Sequence, residues 1–83
     1  MNENDLTVEE RIEIAADSVE FTEYERKVFV EFCKIWNRED GEMFYGGYGK
    51  EWARRFKGKS MYDAADITVT KYIDEAFKNI ENE

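Results

Sequence analysis

Apolar residues recur at helical intervals from the seventh residue onward. Thr7 and Glu10 have the spacing of a capping box, in which each side chain bonds the backbone N–H of the other residue. The apolar residues that follow repeat every three or four positions: Val8, Ile12, Ala15, Ala16 and Val19. This pattern predicts a first helix from about Val8 to Glu20.

A second capping box, Thr22 with Glu25, begins a longer apolar pattern. We expect this helix to end near Gly41, because glycine suits the backbone conformation that follows a helix. Its apolar residues cover more than one stripe: Tyr24, Val28, Phe29, Phe32, Cys33, Ile35 and Trp36. A helix that is apolar on two sides is typical of the centre of a bundle.

A loop and a short helix are predicted next. Between Gly41 and Gly49 the sequence is glycine-rich and aromatic and has no helical period, which indicates a loop. A third helix then ends at Gly58. One of its faces carries Tyr48, Trp52 and Phe56, and the opposite face carries Lys50, Arg54 and Lys57. We therefore expect the side chains on one face of this segment, about half of them, to be buried in the core.

The fourth predicted helix has the longest amphipathic stripe. Ser60 with Asp63 resembles a capped start, and eight apolar residues follow on one face: Met61, Tyr62, Ala65, Val69, Tyr72, Ile73, Ala76 and Ile80. The β-branched run 67–70, ITVT, is also compatible with a strand. Helical spacing accounts for eight apolar positions and alternation for four, so we predict a helix.

These elements predict an all-α fold, a small bundle of about four short helices in one domain, residues 1–83. We expect residues 1–6 and 81–83 to be frayed. A chain of 83 residues buries only about 60–65 % of its unfolded surface, so the core is thin. The sequence has no apolar run of membrane-spanning length and no signal-peptide pattern, and its one cysteine, Cys33, excludes an intramolecular disulfide. We expect a cytoplasmic protein.

Charge is distributed unevenly along the chain. The net charge is −8, and residues 1–25 alone carry nine acids against Arg11. The segment 44–59, FYGGYGKEWARRFKGK, instead carries five basic residues and one acid. An anionic end and a basic, aromatic middle give two candidate interaction surfaces.

The first candidate is the acidic surface, formed by Glu9, Glu10, Glu13, Asp17, Glu20 and Glu23. Acids on a solvated face keep a small protein soluble. They also allow docking in a basic groove of a nucleic-acid-handling protein, in competition with its phosphates. Acidic proteins of this size are often accessory proteins of phages or mobile elements, which is an expectation about the class and not about these residues.

The second candidate is the basic island, formed by Tyr45, Tyr48, Lys50, Arg54, Arg55 and Lys57. Tyrosine and arginine are enriched at protein interfaces, and aromatic and basic residues together also bind single-stranded nucleic acid. The structural alternative is that the aromatics pack in the core and the cations form a solvated face that pairs with the acidic N-terminal helix.

Catalytic motifs are weak. The run 53–60, ARRFKGKS, matches a relaxed phosphate-loop pattern, but it lacks the first glycine and the preceding buried strand. Gly58, Lys59 and Ser60 at a helix N-terminus remain a third candidate, an anion or nucleotide site. The chain has no histidine, Cys33 has no partner base, and the acid spacings fit no calcium loop. We expect no catalytic residues, no metal and no cofactor.

The sequence therefore predicts a non-enzymatic protein that regulates or inhibits a larger protein partner. Direct nucleic-acid binding through residues 44–59 is the alternative. The partner's identity and the choice between monomer and homodimer stay open.

Overall fold

A computed structural model describes residues 7–40, 49–58 and 67–83 of the chain. These ranges contain α1 (Val8–Asp17), α2 (Glu23–Asp40), α3 (Gly49–Lys57) and α4 (Ile67–Glu81). Every regular element in the described ranges is an α-helix, which confirms the predicted all-α bundle. The predicted loop between Gly41 and Gly49 and the predicted helix start at Ser60 lie outside the described residues, as do residues 1–6.

Helix α1 begins as its capping box predicts and ends three residues earlier than expected. The backbone N–H of Glu10 donates to the Thr7 hydroxyl at 3.1 Å, and the Thr7 N–H donates to the Glu10 carboxylate at 3.2 Å. At the other end, both the N–H and the hydroxyl of Ser18 donate to the Ala15 carbonyl, at 3.1 and 2.6 Å. Ser18 thus caps the helix, and the chain turns so that Phe21 reaches the core.

Helix α2 is the centre of the bundle, as its two-sided apolar pattern predicts. Thr22 and Glu25 form the second capping box, with hydrogen bonds of 2.9 and 3.1 Å. The helix contacts all three other helices. Its contribution to the core is the set of fully buried residues Val28, Phe29, Phe32, Cys33 and Ile35.

Helices α1 and α3 pack together through small residues. Ala15 and Ala16 of α1 and Gly49 and Ala53 of α3 are all buried. Short side chains allow two helix axes to approach closely, because the interaxial distance depends on the residues at the contact. The acidic helix and the basic helix are therefore neighbours, joined by their apolar faces.

Helix α4 includes the β-branched run 67–70, which confirms the helical prediction for ITVT. Within its described side chains, Tyr72, Ile73 and Ala76 are buried, and Phe77 and Ile80 pack at the edge of the core. Burial against α2 outweighs the modest helix propensity of the β-branched residues. None of the helices in the described ranges combines the length and apolarity that crossing a membrane requires.

Isoleucine to valine changes at a buried and an exposed position test this core. Ile73 is fully buried and Ile14 is 44 % exposed. We expect Ile73→Val to lower the free energy of unfolding by about 0.5–1.5 kcal/mol, because it removes a buried methyl group and leaves a small cavity. Ile14→Val is the matched control and should change it by less than about 0.5 kcal/mol. Urea unfolding followed by circular dichroism measures both, and equal losses would contradict the assigned burial.

Candidate interaction surfaces

The acidic surface lies on the solvent side of α1, in the turn that follows it and at the first residue of α2. Its six acids are all exposed: Glu9, Glu10, Glu13, Asp17, Glu20 and Glu23. On the other side of α1, Ile12, Ala15 and Ala16 are almost completely buried. Helical spacing therefore separates the two sets of residues as predicted, and the core fixes the direction in which the acids point.

Within the described residues, an ion pair engages one of these six acids and a capping hydrogen bond engages another. Asp17 pairs with Arg26 of α2 at 3.2 Å, and Glu10 is held by the capping box. Glu9, Glu13, Glu20 and Glu23 make no ion pair within the described part of the chain. This surface therefore presents uncompensated negative charge to solvent.

An exposed isoleucine lies within the acidic surface, and sequence reasoning missed it. Ile14 is 44 % exposed and follows Glu13 directly on α1. Helical spacing indicates this exposure, because Ile14 falls outside the apolar stripe that contains Ile12 and Ala15. Among the described residues, Tyr24 is also a large exposed apolar residue, at 46 %, but its hydroxyl donates to the Glu81 carboxylate at 3.4 Å.

The basic island divides into an inner and an outer row. Trp52 and Phe56 are half-buried and pack on the core, and the outer row, Lys50, Arg54 and Lys57, is exposed. This division is the one that helical spacing predicts. Tyr45 and Tyr48, which complete the predicted island, lie outside the described residues.

Two cations of the island are engaged by the chain itself. Arg55 bonds Glu51 one turn earlier at 3.1 Å, and its guanidinium lies 5.1 Å from the centre of the Trp52 ring. Lys57 donates to Glu25 at 2.8 Å and lies 6.0 Å from the Phe21 ring. Among the described residues, these two acids of α2 and α3 thus engage the island.

Lys50 and Arg54 are the remaining described cations of the island. Neither makes an ion pair within the described ranges, and both are exposed. With Arg55 and Lys57 engaged, this outer row offers a partner less free positive charge than its sequence indicates. Within the described residues, the island thus keeps two cations without an ion pair, against four acids of the acidic surface that have neither an ion pair nor a capping bond.

Glu25 links helix capping to the basic island. Its carboxylate accepts the Thr22 N–H at 2.9 Å and the Lys57 ammonium at 2.8 Å through the same oxygen. The Lys57 hydrogen bond, together with that of the Thr22 backbone, lowers the pKa of the Glu25 carboxyl below its ordinary value. One acid therefore fixes both the start of α2 and the end of α3.

The residues that the sequence offers for catalysis or ligand binding lie in the core, at the end of α3 or outside the described ranges. Cys33 is fully buried, and burial raises the pKa of its thiol well above the ordinary value, so it packs as a small apolar residue. The N–H of Gly58 donates to the Arg54 carbonyl at 3.0 Å, which places Gly58 at the C-terminal end of α3. Lys59 and Ser60 lie outside the described residues. Among the described side chains, no group of three potential ligands is arranged to hold a metal ion.

A shallow groove of about 480 Å³ lies between α1, α2 and the end of α4. Val30 and Ile80 are its apolar lining residues. Its charged lining comes mainly from α2: Glu23, Arg26, Lys27, Glu31 and Lys34, with Glu13 and Glu83 at the rims. The mixture of signs distinguishes this groove from the acidic surface beside it.

Comparison with protein-family models, with curated proteins and with solved structures finds no match to this chain.

The contact between Lys57 and Glu25 predicts a measurable shift in acidity. We expect the pKa of Glu25, followed by NMR of its carboxyl carbon, to lie below the ordinary glutamate value and to rise in Lys57→Met. Because the folded-state pKa is lowered, the stabilisation is complete above the pKa of the unfolded chain and is lost as the pH falls through the folded-state pKa.

The control is Lys71→Met, which removes the same charge from an exposed position on α4. It should leave the Glu25 pKa almost unchanged. If both variants shift it equally, net charge and not the hydrogen bond is the cause.

Proposed function

We propose that this protein is a non-enzymatic regulator that docks the acidic surface of α1 in a basic groove of a larger protein. The most favourable partner is one whose groove otherwise binds nucleic-acid phosphates, because carboxylates at helical spacing present negative charge to the same cations. By occupying that groove, the protein would inhibit its partner. A cytoplasmic setting is part of the same proposal.

The observation that carries the proposal is the contrast between the two candidate surfaces. Glu9 and Glu13 are exposed and make no ion pair in the described chain, whereas Arg55 and Lys57 of the basic island are engaged by Glu51 and Glu25. Free charge is what steers association and selects a partner of opposite sign. The acidic surface offers more unpaired charge than the described part of the basic island does.

Ile14 adds an apolar anchor to the acidic surface. An interface gains most of its binding energy from a few well-buried residues, and the surrounding polar residues exclude water and give specificity. A side chain that is 44 % exposed and flanked by Glu13 and Asp17 suits that arrangement. The proposed partner groove therefore has cationic walls and a small apolar depression.

Direct nucleic-acid binding is the second candidate. It is favoured by Lys50 and Arg54, which are exposed and make no ion pair in the described ranges. It is opposed by the net charge of −8, since phosphates are repelled by an anionic protein. Few free cations remain in the described part of the island to offset that repulsion.

Capture of partners from a lysate of the native host tests the acidic surface. We compare the wild-type chain with Glu9→Lys/Glu13→Lys and with Ile14→Ala, each immobilised at equal density. The charge reversal should abolish capture of the specific partner, because two attractions become repulsions. Ile14→Ala should weaken capture by about 1–2 kcal/mol, as loss of a buried interface side chain does.

The matched control for capture is Glu39→Lys/Asp74→Lys, which makes the same charge change at exposed positions on α2 and α4. It should retain the partner. Undiminished capture by Glu9→Lys/Glu13→Lys would overturn the proposal. A captured nucleic-acid-binding protein should also lose its nucleic acid when the wild-type chain is added.

A fluorescence titration with labelled single- and double-stranded DNA and RNA tests the second candidate. We expect no binding at tens of micromolar protein at about 0.15 M salt, because the acids outweigh the free cations. Binding that weakens in Arg54→Ala, with Lys71→Ala as the control, would instead support direct recognition of nucleic acid.

A further inference from the structure

The outward face of α2 carries an alternating charge pattern that the proposed function does not use. Glu23, Lys27, Val30 and Lys34 follow one another at intervals of three or four residues, so they form one stripe, with Glu31 beside it. All five line the groove between α1 and α4. The opposite side of the same helix is the fully buried row that contains Phe29 and Phe32.

Charge alternation on a helix often reflects ion pairs between successive turns of the same helix. In the described chain, however, no ion pair within 4.0 Å joins Glu23 to Lys27, Lys27 to Glu31, or Glu31 to Lys34. Glu31 instead accepts a hydrogen bond from Asn79 of α4 at 3.2 Å. The lysines of the stripe are exposed and available to a partner.

The charges of this stripe are complementary to those of the same stripe on a second copy that runs antiparallel to it. Aligned antiparallel with a second copy, Glu23 lies opposite Lys34 of that copy, and Lys34 lies opposite its Glu23. The same alignment brings Lys27 within one residue of the position opposite Glu31. Val30 falls opposite Lys27 in this alignment, so opposite charges meet at the two ends of the stripe and beside its centre, over about 17 Å of helix.

We propose that this face of α2 is a homodimer interface in which two copies pack antiparallel about a two-fold axis. Such an interface is isologous, so each residue contact occurs twice. Val30 lies close to the axis, opposite Lys27 of the second copy, and the Glu23 and Lys34 pairs lie at both ends. Glu23, Lys27 and Lys34 are exposed, so the stripe is not recessed beneath the rims of the groove.

The proposed dimer is weak and leaves most of the acidic surface free. One helix face is a small interface, which places the dissociation constant in the micromolar to submillimolar range. Glu9, Glu10 and Ile14 do not line the groove, whereas Glu13 and Glu23 of the acidic surface do, so the dimer interface and the proposed partner surface overlap only at these two residues. Failure of either proposal leaves the other standing.

Sedimentation equilibrium of the wild-type chain is the first measurement. At about 0.15 M salt the Debye length is about 8 Å, so repulsion between two anionic copies is largely screened. We expect the average mass to rise from the monomer value of 9.9 kDa towards the dimer value as the protein concentration increases to about 0.5 mM. A chain that stays monomeric over this range overturns the proposal.

Charge-reversal variants test the alignment. Glu23→Lys and Lys34→Glu should each raise the dimer dissociation constant at least about tenfold, because like charges meet at both ends of the interface. Mixing the two variants should restore the dimer as a heterodimer, since each then opposes the other's charges. The double variant Glu23→Lys/Lys34→Glu, which keeps the net charge of −8, should also dimerise.

The controls separate the interface from net charge. Glu20→Lys and Lys78→Glu make the same charge changes at exposed residues that do not line the groove, and they should dimerise like the wild type. Glu23→Lys makes the chain less anionic, so a pure charge effect would strengthen its association. Stronger association of that variant, or a mixture that fails to dimerise, overturns the antiparallel alignment. Circular dichroism confirms that each variant is folded.

Discussion

The packing of the Phe56 ring is the contact on which the rest of the structure depends. Its centre lies 5.6 Å from Phe29 and 6.3 Å from Phe32 on α2, 6.4 Å from Phe77 on α4, and 5.8 Å from Phe21 before α2. Aromatic pairs at such separations contribute energy beyond the area that they bury. In a chain with a thin core, one ring from the shortest of the described helices thereby joins α3 to two other helices and to the turn that follows α1.

The orientation of α3 follows from this ring and decides what the basic island can do. With Phe56 and Trp52 directed inward, the cations between them must lie at the rim or on the outside of the helix. Lys57 then comes within 2.8 Å of Glu25, and Arg55 lies beside Glu51 and over Trp52. The aromatic packing that makes the island distinctive in the sequence also brings two of its cations into contacts within the chain.

Much of this arrangement follows from local rules that a sequence displays. The capping boxes at Thr7 and Thr22 determine where α1 and α2 begin, and the two-sided apolar pattern of α2 identifies the central helix. The predicted end of α1 at Glu20 was three residues too late, because Ser18 caps the helix and Phe21 reaches the core, where it packs against the distant Phe56 ring. The partner of Lys57 was likewise hidden, since it depends on how α2 and α3 pack, whereas the pair of Arg55 with Glu51 has the i, i+4 spacing that a sequence displays.

The exposed acids of α1 are held in one arrangement because the opposite side of the helix packs in the core. A ten-residue helix is marginal in water on its own, so α1 is helical chiefly because Ile12, Ala15 and Ala16 are buried in the bundle. Once the helix is fixed, its carboxylates and Ile14 are held in one arrangement before any partner arrives, which reduces the entropy lost on binding. If the acidic surface binds the proposed partner, loss of the core would weaken that binding even if every acid remained in the chain.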